Sequence, residues 1–310
     1  MESLNRTALE LVDEALEFAG ELDIGAHELD NEATVLDFGV EFSGGIEAGL
    51  LLAEIQSAGL ATVQSHVDEV GGAPIPHVEL TSDQPGLALL GAQKTGWEVS
   101  VDDYEALGSG PARALVAEET IFDRLGYTDV FEFAVLALES DELPTEAVAE
   151  HVADLADVEP GAVFLPTYPT ASLVGSVTVA ARAPELAAFR LAELGYDPTK
   201  LVSVSGAAPV APIAGDEETA LARTNDALAY GGQVHLVVEE DFDRFEELPS
   251  TAGEEYGQPF YEIFEAADWD FYDLPADVFA PAQVTVDVVG GPTYALGERD
   301  EDLLVESFEL

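Results

Sequence analysis

The sequence predicts an α/β protein. Segments that read as strands alternate with segments that read as helices over most of the 310 residues. The apolar content, 47%, is that of a chain able to bury a core. The length fits one large domain or two of medium size.

The elements follow from local pattern. Ser3 is placed to cap a helix running to about Glu21, with Leu9, Leu11, Val12, Ala15 and Leu16 near helical spacing. ATVLDFGVEF (33–42) reads as a strand that Gly44-Gly45 interrupts, and IEAGLLLAEIQSAG continues as a helix. PHVELTS (76–82) is extended, QPGLALLGAQKTG (84–96) is a helix opened by Pro85, and WEVSVDD is extended again. FEFAVLAL (131–138) and GAVFLP (161–166) are short buried strands, separated by the helix LPTEAVAEHVADLA with Pro144 near its start. SVTVAA (176–181) reads as a strand followed by a helix from Pro184. Strand KLVSVS (200–205), helix DEETALARTNDALAY (216–230) and strand GGQVHLVVEE (231–240) come next. The chain ends with an aromatic-rich stretch, strands AQVTVDVV and PTYALG, and helix EDLLVESF. A loose echo between Gly44–Glu47 and Ala181–Glu185, and between GSGPA (108–112) and SGAAPVAP (205–212), is compatible with two related halves and equally with coincidence between Gly/Ala-rich segments. We divide the chain near residue 145, into 1–145 and 146–310, with discontinuous domains left open.

Charge narrows the function. Sixty-three acidic side chains stand against 10 basic ones, for a formal charge of −53 spread along the whole chain. Such a surface repels itself in dilute buffer and is screened in molar salt, where the Debye length falls to about 3 Å. This is the composition of a cytoplasmic protein from a salt-loving organism. Nucleic acid is a poor partner for so negative a field. The opening MESLNRTALELVDEALEF lacks the basic-then-apolar order of a signal peptide, and no apolar run approaches the roughly 20 residues of a membrane span. With no cysteine there is no disulfide, thiolate metal site or cysteine nucleophile. His27, His66, His77, His151 and His235 show no paired metal-ligand spacing, and no serine lies in a nucleophile elbow.

Three segments rich in small residues, FSGGIEAG (42–49), GSGPARAL (108–115) and SGAAPVAPIAGD (205–216), are candidate ligand loops, because small residues let backbone N–H groups approach an anion. Taken singly, each reads as a tight turn before it reads as a site. Among them Gly108, Ser109, Gly110, Ser205 and Gly206 are the candidate substrate contacts. Four of the scarce cations, Lys94, Arg113, Arg182 and Arg223, fall in or beside acid-poor, small-residue segments. Each is a candidate either for neutralising a buried carboxylate or for holding an anionic ligand. Arg182 and Glu185 stand three residues apart, at the start of a helix with Pro184 between them. A helix-start ion pair accounts for this; so does a carboxylate held by an arginine to activate water.

At these segments the chain resembles the methenyltetrahydromethanopterin cyclohydrolases. The likeness lies in GGIEAGLLLAEI (44–55), AQKTGW (92–97), YEALGSGPARAL (104–115), ALESDELP (137–144), PTASLVGSVTVAARAPE (169–185), SGAAPVAPIAGD (205–216), ARTNDALAYGG (222–232), YGQPFYEIF (256–264) and DFYDLPADVFAPA (270–282). It covers nearly the full length. One departure is Gln283, where the family pattern leads us to expect a basic residue. The resemblance implies two α/β domains with a ligand pocket between them, trimeric assembly, and no metal or cofactor beyond the pterin substrate. It implies reversible hydrolysis of a 5,10-methenyl-tetrahydropterin cation to the 5-formyl compound. It also makes Glu185 and Arg182 the catalytic pair: Glu185 as general base, Arg182 orienting it, keeping its charge and touching the pterin. Lys94, Arg113 and Arg223 become candidates for the anionic tail of the substrate. Two alternatives remain open at this level: the same reaction on a tetrahydrofolate-type pterin, and a pterin-binding carrier or regulator without turnover.

Overall fold

The computed structural model describes residues 3–267, 269, 274 and 278–310. In chain order the regular elements are α1 (Leu4–Glu17), α2 (Ala19–Leu22), β1 (Gly25–Glu28), β2 (Thr34–Asp37), α3 (Ile46–Gln56), β3 (Thr62–Val70) and β4 (Ala73–Ser82). A π-helix (Gly86–Gln93) leads to β5 (Thr95–Val101), β6 (Tyr104–Ser109), α4 (Ala112–Val116), α5 (Thr120–Leu125), β7 (Ala134–Val135), β8 (Ala137–Glu139), α6 (Glu146–Ala156) and β9 (Val163–Tyr168). Then come α7 (Leu173–Ala180), α8 (Ala183–Glu193), β10 (Leu201–Pro209), α9 (Glu217–Gly231), β11 (Gln233–Val238), α10 (Phe260–Ala266), β12 (Gln283–Val288), β13 (Thr293–Gly297) and α11 (Glu301–Phe308). The architecture is α/β, with two separate sheets.

The chain divides into two compact units, 1–62 with 86–178, and 63–85 with 179–310. This differs from a single cut near residue 145. Residues 146–178 belong to the first unit because β9 is a central strand of its sheet, between β2 and β8. Residues 63–85 belong to the second because β4 pairs with β10.

The first unit's sheet runs β1-β2-β9-β8-β6-β5, with β7 also on β9. Both faces are covered, and the strand alternation shows it. Val35, Leu136, Leu138 and Leu165 pack with α6 through Val148, Val152 and Ala156, whereas Leu36, Val135, Ala137 and Tyr168 pack with α1 and α3 through Val12, Leu52 and Ile55. Ser3 caps α1 by accepting from Arg6 N–H, as its sequence position requires. The same turn is held from below, since Asp129 accepts hydrogen bonds from Ser3 Oγ (2.9 Å), Asn5 N (3.0 Å) and Asn5 Nδ2 (2.9 Å).

In the second unit the sheet order is β13-β12-β11-β10-β4-β3. One face is apolar, with Val204, Leu236 and Val286 buried, and α8 and α9 pack on the sheet. The other face presents Glu79, Ser205, Gln233, His235, Gln283 and Thr285, all partly or fully exposed.

Several expectations change. β1 and β3 escape the sequence reading because β1 is four residues long and β3 is polar and exposed over most of its length. The strand expected over 33–42 stops at Asp37, whose carboxylate accepts from Gly39, Val40 and Glu41 N–H and turns the chain. Ser205 and Gly206 lie within β10, so the segment 205–216 is only partly a loop. Likewise Gly108 and Ser109 end β6. The resemblance segment 270–282 lies largely outside the described residues.

Two carboxylates, one buried and one half-buried, give opposite responses to acid. Asp226 on α9 is 2% exposed; its Oδ1 accepts from Phe260 N (2.9 Å) and its Oδ2 from Ser307 Oγ (2.6 Å), tying α10 and α11 to α9. Burial pushes its pKa up to about 6, despite those hydrogen bonds. The folded chain therefore holds this proton where the unfolded chain has released it. Its contribution to stability falls as pH rises from about 4 to about 6, by on the order of 3 kcal/mol, and stays lost above. Asp226→Asn should remove that component, so denaturant unfolding at about pH 4 and about pH 7 in molar salt should differ less in the variant than in the parent chain.

Arg113 is fully buried, and all five of its N–H groups are used. Nε donates to Glu119 Oε1 (2.8 Å), Nη2 to Glu119 Oε2 (2.8 Å) and Leu90 O (3.3 Å), and Nη1 to Ala92 O (3.1 Å) and Lys94 O (2.8 Å). Burial alone would raise the Glu119 carboxyl; Arg113, helped by Lys94, more than reverses this and holds it below the usual range. The stability it supplies is present above the ordinary glutamate pKa and is lost as pH falls through the lowered one. Glu119→Gln leaves a buried guanidinium without its counter-charge and should cost about 3–5 kcal/mol in denaturant unfolding.

Candidate active site

The segment that carries Arg182 and Glu185 is helical on both sides. Residues 174–185 are buried without a break, so their apolar, β-branched run reads in sequence like a core strand. The structure makes it α7 instead. Ser172 Oγ accepts from Gly175 N (2.9 Å) and starts the helix, and every turn then satisfies its own backbone. The expected strand at SVTVAA is thus a helix, and Arg182 lies at a helix–helix junction, not at a strand end.

The junction is tight. Arg182 N donates to Val179 O (2.9 Å), and Arg182 O accepts from Leu186 N (3.0 Å) as the N-cap of α8. Pro184 occupies the first turn, where its missing N–H leaves no intrahelical bond unmade. Glu185 comes three residues after the cap, on the same edge as Arg182. Arg182 Nε reaches Glu185 Oε2 at 3.3 Å, and the two residues are only 7% and 3% exposed. The helix N-terminus adds positive potential at the carboxylate. Glu185 Oε1 accepts no hydrogen bond from the described residues, so its lone pairs are available to a water or a ligand. A buried carboxylate, oriented by a planar cation and open at one oxygen, is suited to taking a proton from a bound water.

The pair is seated on the second unit's sheet. A Cβ on Gly206 would stand 3.0 Å from Pro184 Cγ and 2.8 Å from Gln233 O, so glycine lets the α8 start approach β10. This assigns Gly206 a supporting role beside the pair. Ser205 points the other way by strand alternation. Its hydroxyl accepts from Thr81 Oγ1 (3.2 Å) and donates to Glu79 Oε1 (3.4 Å) on the polar face. There it borders a concavity of about 400 Å³, also lined by Gln233, His235, Gln283 and Thr285. Neither Arg182 nor Glu185 lines this concavity.

The remaining candidates fall into separate groups. Arg113 and Lys94 meet at Glu119 in the first unit, Lys94 Nζ lying 3.4 Å from Glu119 Oε2. With every Arg113 donor engaged, the structure gives this arginine a structural role, not a ligand contact. Ser109 Oγ accepts from the buried Gln56 Nε2 (2.9 Å), and Gly110 N donates to Ala92 O (2.9 Å). Gly108 packs against Trp97 and Leu136. These three are therefore held within the first unit's own fold. Arg223 on α9 pairs with Glu309 at 2.9 Å. At the position where a basic residue was expected, Gln283 Oε1 accepts from Gln233 Nε2 at 2.7 Å across neighbouring strands. Sequence reading missed Glu119 and Gln56. Glu119 is one of many acids in an acidic chain, and only the fold singles it out.

Comparison with known proteins agrees with the motifs. The cyclohydrolase (MCH) family pattern matches residues 3–308. The chain is 65% identical over 310 residues to the methenyltetrahydromethanopterin cyclohydrolase of Halobacterium salinarum, covering 100% of both chains. It is 41% identical to the enzyme of that name from Methanosphaerula palustris, again over 100% of both chains. It is also 41% identical to that of Methanothermobacter marburgensis, with the same full coverage. With the buried Arg182–Glu185 pair falling inside this full-length match, the chain belongs to the cyclohydrolase (MCH) family.

Proposed function

We propose that this chain reversibly hydrolyses 5,10-methenyl-tetrahydromethanopterin to the 5-formyl derivative, with Glu185 as general base and Arg182 as its orienting partner. The observation that carries the reading is the buried Glu185 carboxylate, held on one oxygen by Arg182 and receiving no hydrogen bond from the described residues on the other. The names of the full-length relatives supply the substrate.

The chemistry is economical. The methenyl carbon lies between two nitrogens that share a positive charge, so it is electrophilic without a Lewis acid. Glu185 Oε1 receives a proton from a water as the water oxygen bonds to that carbon, giving a neutral tetrahedral adduct. Glu185 then returns the proton to N10. The C–N10 bond breaks with its electron pair on nitrogen, and the adduct hydroxyl releases its proton to solvent as the formyl C=O forms. Water is consumed and one proton is released. Arg182 keeps the carboxylate aimed through this cycle and is placed to touch the pterin. No metal or further cofactor takes part in this scheme. For the anionic tail, Arg223 remains the better candidate than Arg113, since it meets Glu309 through Nη2 alone among the described residues.

The rest of the reading concerns setting and assembly. The acidic surface suits a cytoplasm of molar salt, and no helix among the described residues is long and apolar enough to cross a membrane. We read the working form as a homotrimer, by resemblance to the family. The polar, half-exposed sheet face of the second unit offers surface for a subunit contact.

Loss of the methenyl near-ultraviolet absorbance in molar potassium chloride reports turnover. Glu185→Gln should lower kcat about 10²–10⁴-fold and leave KM near its parent value. Unchanged turnover removes Glu185 from the mechanism. Run beside the tetrahydrofolate analogue, the same assay identifies the pterin, and binding without decay supports the carrier reading instead. Light scattering across a potassium chloride series should give the trimer mass at molar salt and smaller species as screening is withdrawn. A monomer mass at every salt concentration removes the trimer.

A further inference from the structure

A second group of ionisable side chains lies in the first unit, where the β1–β2 pair runs into the loop before α3. Gly25 stands directly opposite Asp37, and His27 is two residues along from Gly25, so the three share one face of the sheet. The imidazole leans back over the glycine. Its Nε2 lies 3.0 Å from where a Cβ on Gly25 would be, and the Phe42 ring fills the other side of that space at 2.6 Å. Only a residue without a side chain leaves room for this approach toward Asp37. His27 Nε2 is shielded from solvent and has no hydrogen-bond partner among the described residues.

Asp37 is fully buried and already shaped as a turn. Its Oδ1 accepts from Gly39 N (3.0 Å) and Val40 N (2.7 Å), and its Oδ2 from Glu41 N (2.8 Å). Each carboxylate oxygen accepts two bonds, so Oδ2 keeps one lone pair. The same turn that occupies Asp37 brings round Glu41, whose side chain is exposed. One ligand atom each from His27, Asp37 and Glu41 lie within 4.8 Å of one another, the one such trio among the described residues.

We propose that His27, Asp37 and Glu41 form a binding site for a divalent transition-metal cation, best matched by Zn²⁺ with water as the fourth ligand. The shielded, unpartnered Nε2 is a donor atom that such an ion satisfies. Two carboxylates and one neutral imidazole cancel the ion's charge, which relieves local repulsion in a chain of net charge −53. Zinc takes nitrogen and oxygen ligands at about 2.0–2.2 Å in a tetrahedron. Ligand atoms in such a tetrahedron stand about 3.4 Å from one another, inside the 4.8 Å that bounds this trio, and the exposed Glu41 side chain is the member free to adjust. The imidazole selects against Mg²⁺, which prefers an octahedron of oxygens. Bound metal fastens the loop after β2 to β1 and so fixes the entry to α3. It takes no part in the reaction assigned to Arg182 and Glu185.

The test is Zn²⁺ calorimetry on chelator-stripped protein in molar potassium nitrate, with excess Mg²⁺ to occupy weak surface carboxylates. The parent chain should bind one equivalent, and His27→Ala and Glu41→Gln should each weaken it at least about tenfold. Asp37 stays intact because it holds the turn. Co²⁺ in place of Zn²⁺ should give a visible d–d band in the parent chain that His27→Ala abolishes. Equal binding by parent and both variants, or no one-to-one binding over the Mg²⁺ background, overturns the proposal.

Discussion

The structure around Arg182 and Glu185 depends on keeping one ion pair out of water. Removing a guanidinium and a carboxylate from solvent is unfavourable unless geometry and further polar contacts compensate. Here the compensation is local. The helix start places both groups on one edge, the N-terminal dipole favours the acid, and Gly206 lets the turn settle onto β10. A shared burial of this kind is poor evidence of stability and better evidence of orientation. Among the described residues no group donates to Glu185 Oε1, which fits that reading, since a purely structural pair would be expected to engage both oxygens.

The same logic runs through the other cations. Eight of the ten basic side chains lie within ion-pair distance of a carboxylate in the described residues. Their environments nonetheless differ. Arg6–Glu10 and Arg244–Glu247 are exposed, and pairs of that kind contribute little. Arg113 and Arg182 are enclosed, and only there does a missing partner become costly. Scarcity of cations marked these residues out in the sequence; Arg113 is set apart by having every donor engaged within its own unit.

Much of the architecture was readable from pattern. α1, α3, α6, α9 and α11 follow from capping residues and periodic apolar positions, and the alternation of segments predicted α/β. The failures share a cause. α7 is buried on all sides, so it lacks the amphipathic stripe that distinguishes helix from core strand. β3 is exposed on both faces, so it lacks the alternation that announces a strand. Periodicity reports contrast between two environments, and neither element has that contrast. The Arg182–Glu185 pair was legible because Pro184 and the spacing are local. The Glu119 and Asp37 contacts were not, since they depend on which acids among sixty-three the fold carries inward.

The chain passes between its two units at 62/63, 85/86 and 178/179. During synthesis the hairpin of β3 and β4 therefore emerges long before its sheet partner β10 exists, while the first unit has all its residues once position 178 is made. Over that interval the hairpin shows unpaired backbone to every other nascent chain, the circumstance in which strands aggregate. β3, TVQSHVDEV, carries the charges and polar groups that discourage such pairing. Because β10 pairs with β4, β3 stays at the edge of the finished sheet, and its composition guards that edge before and after β10 arrives.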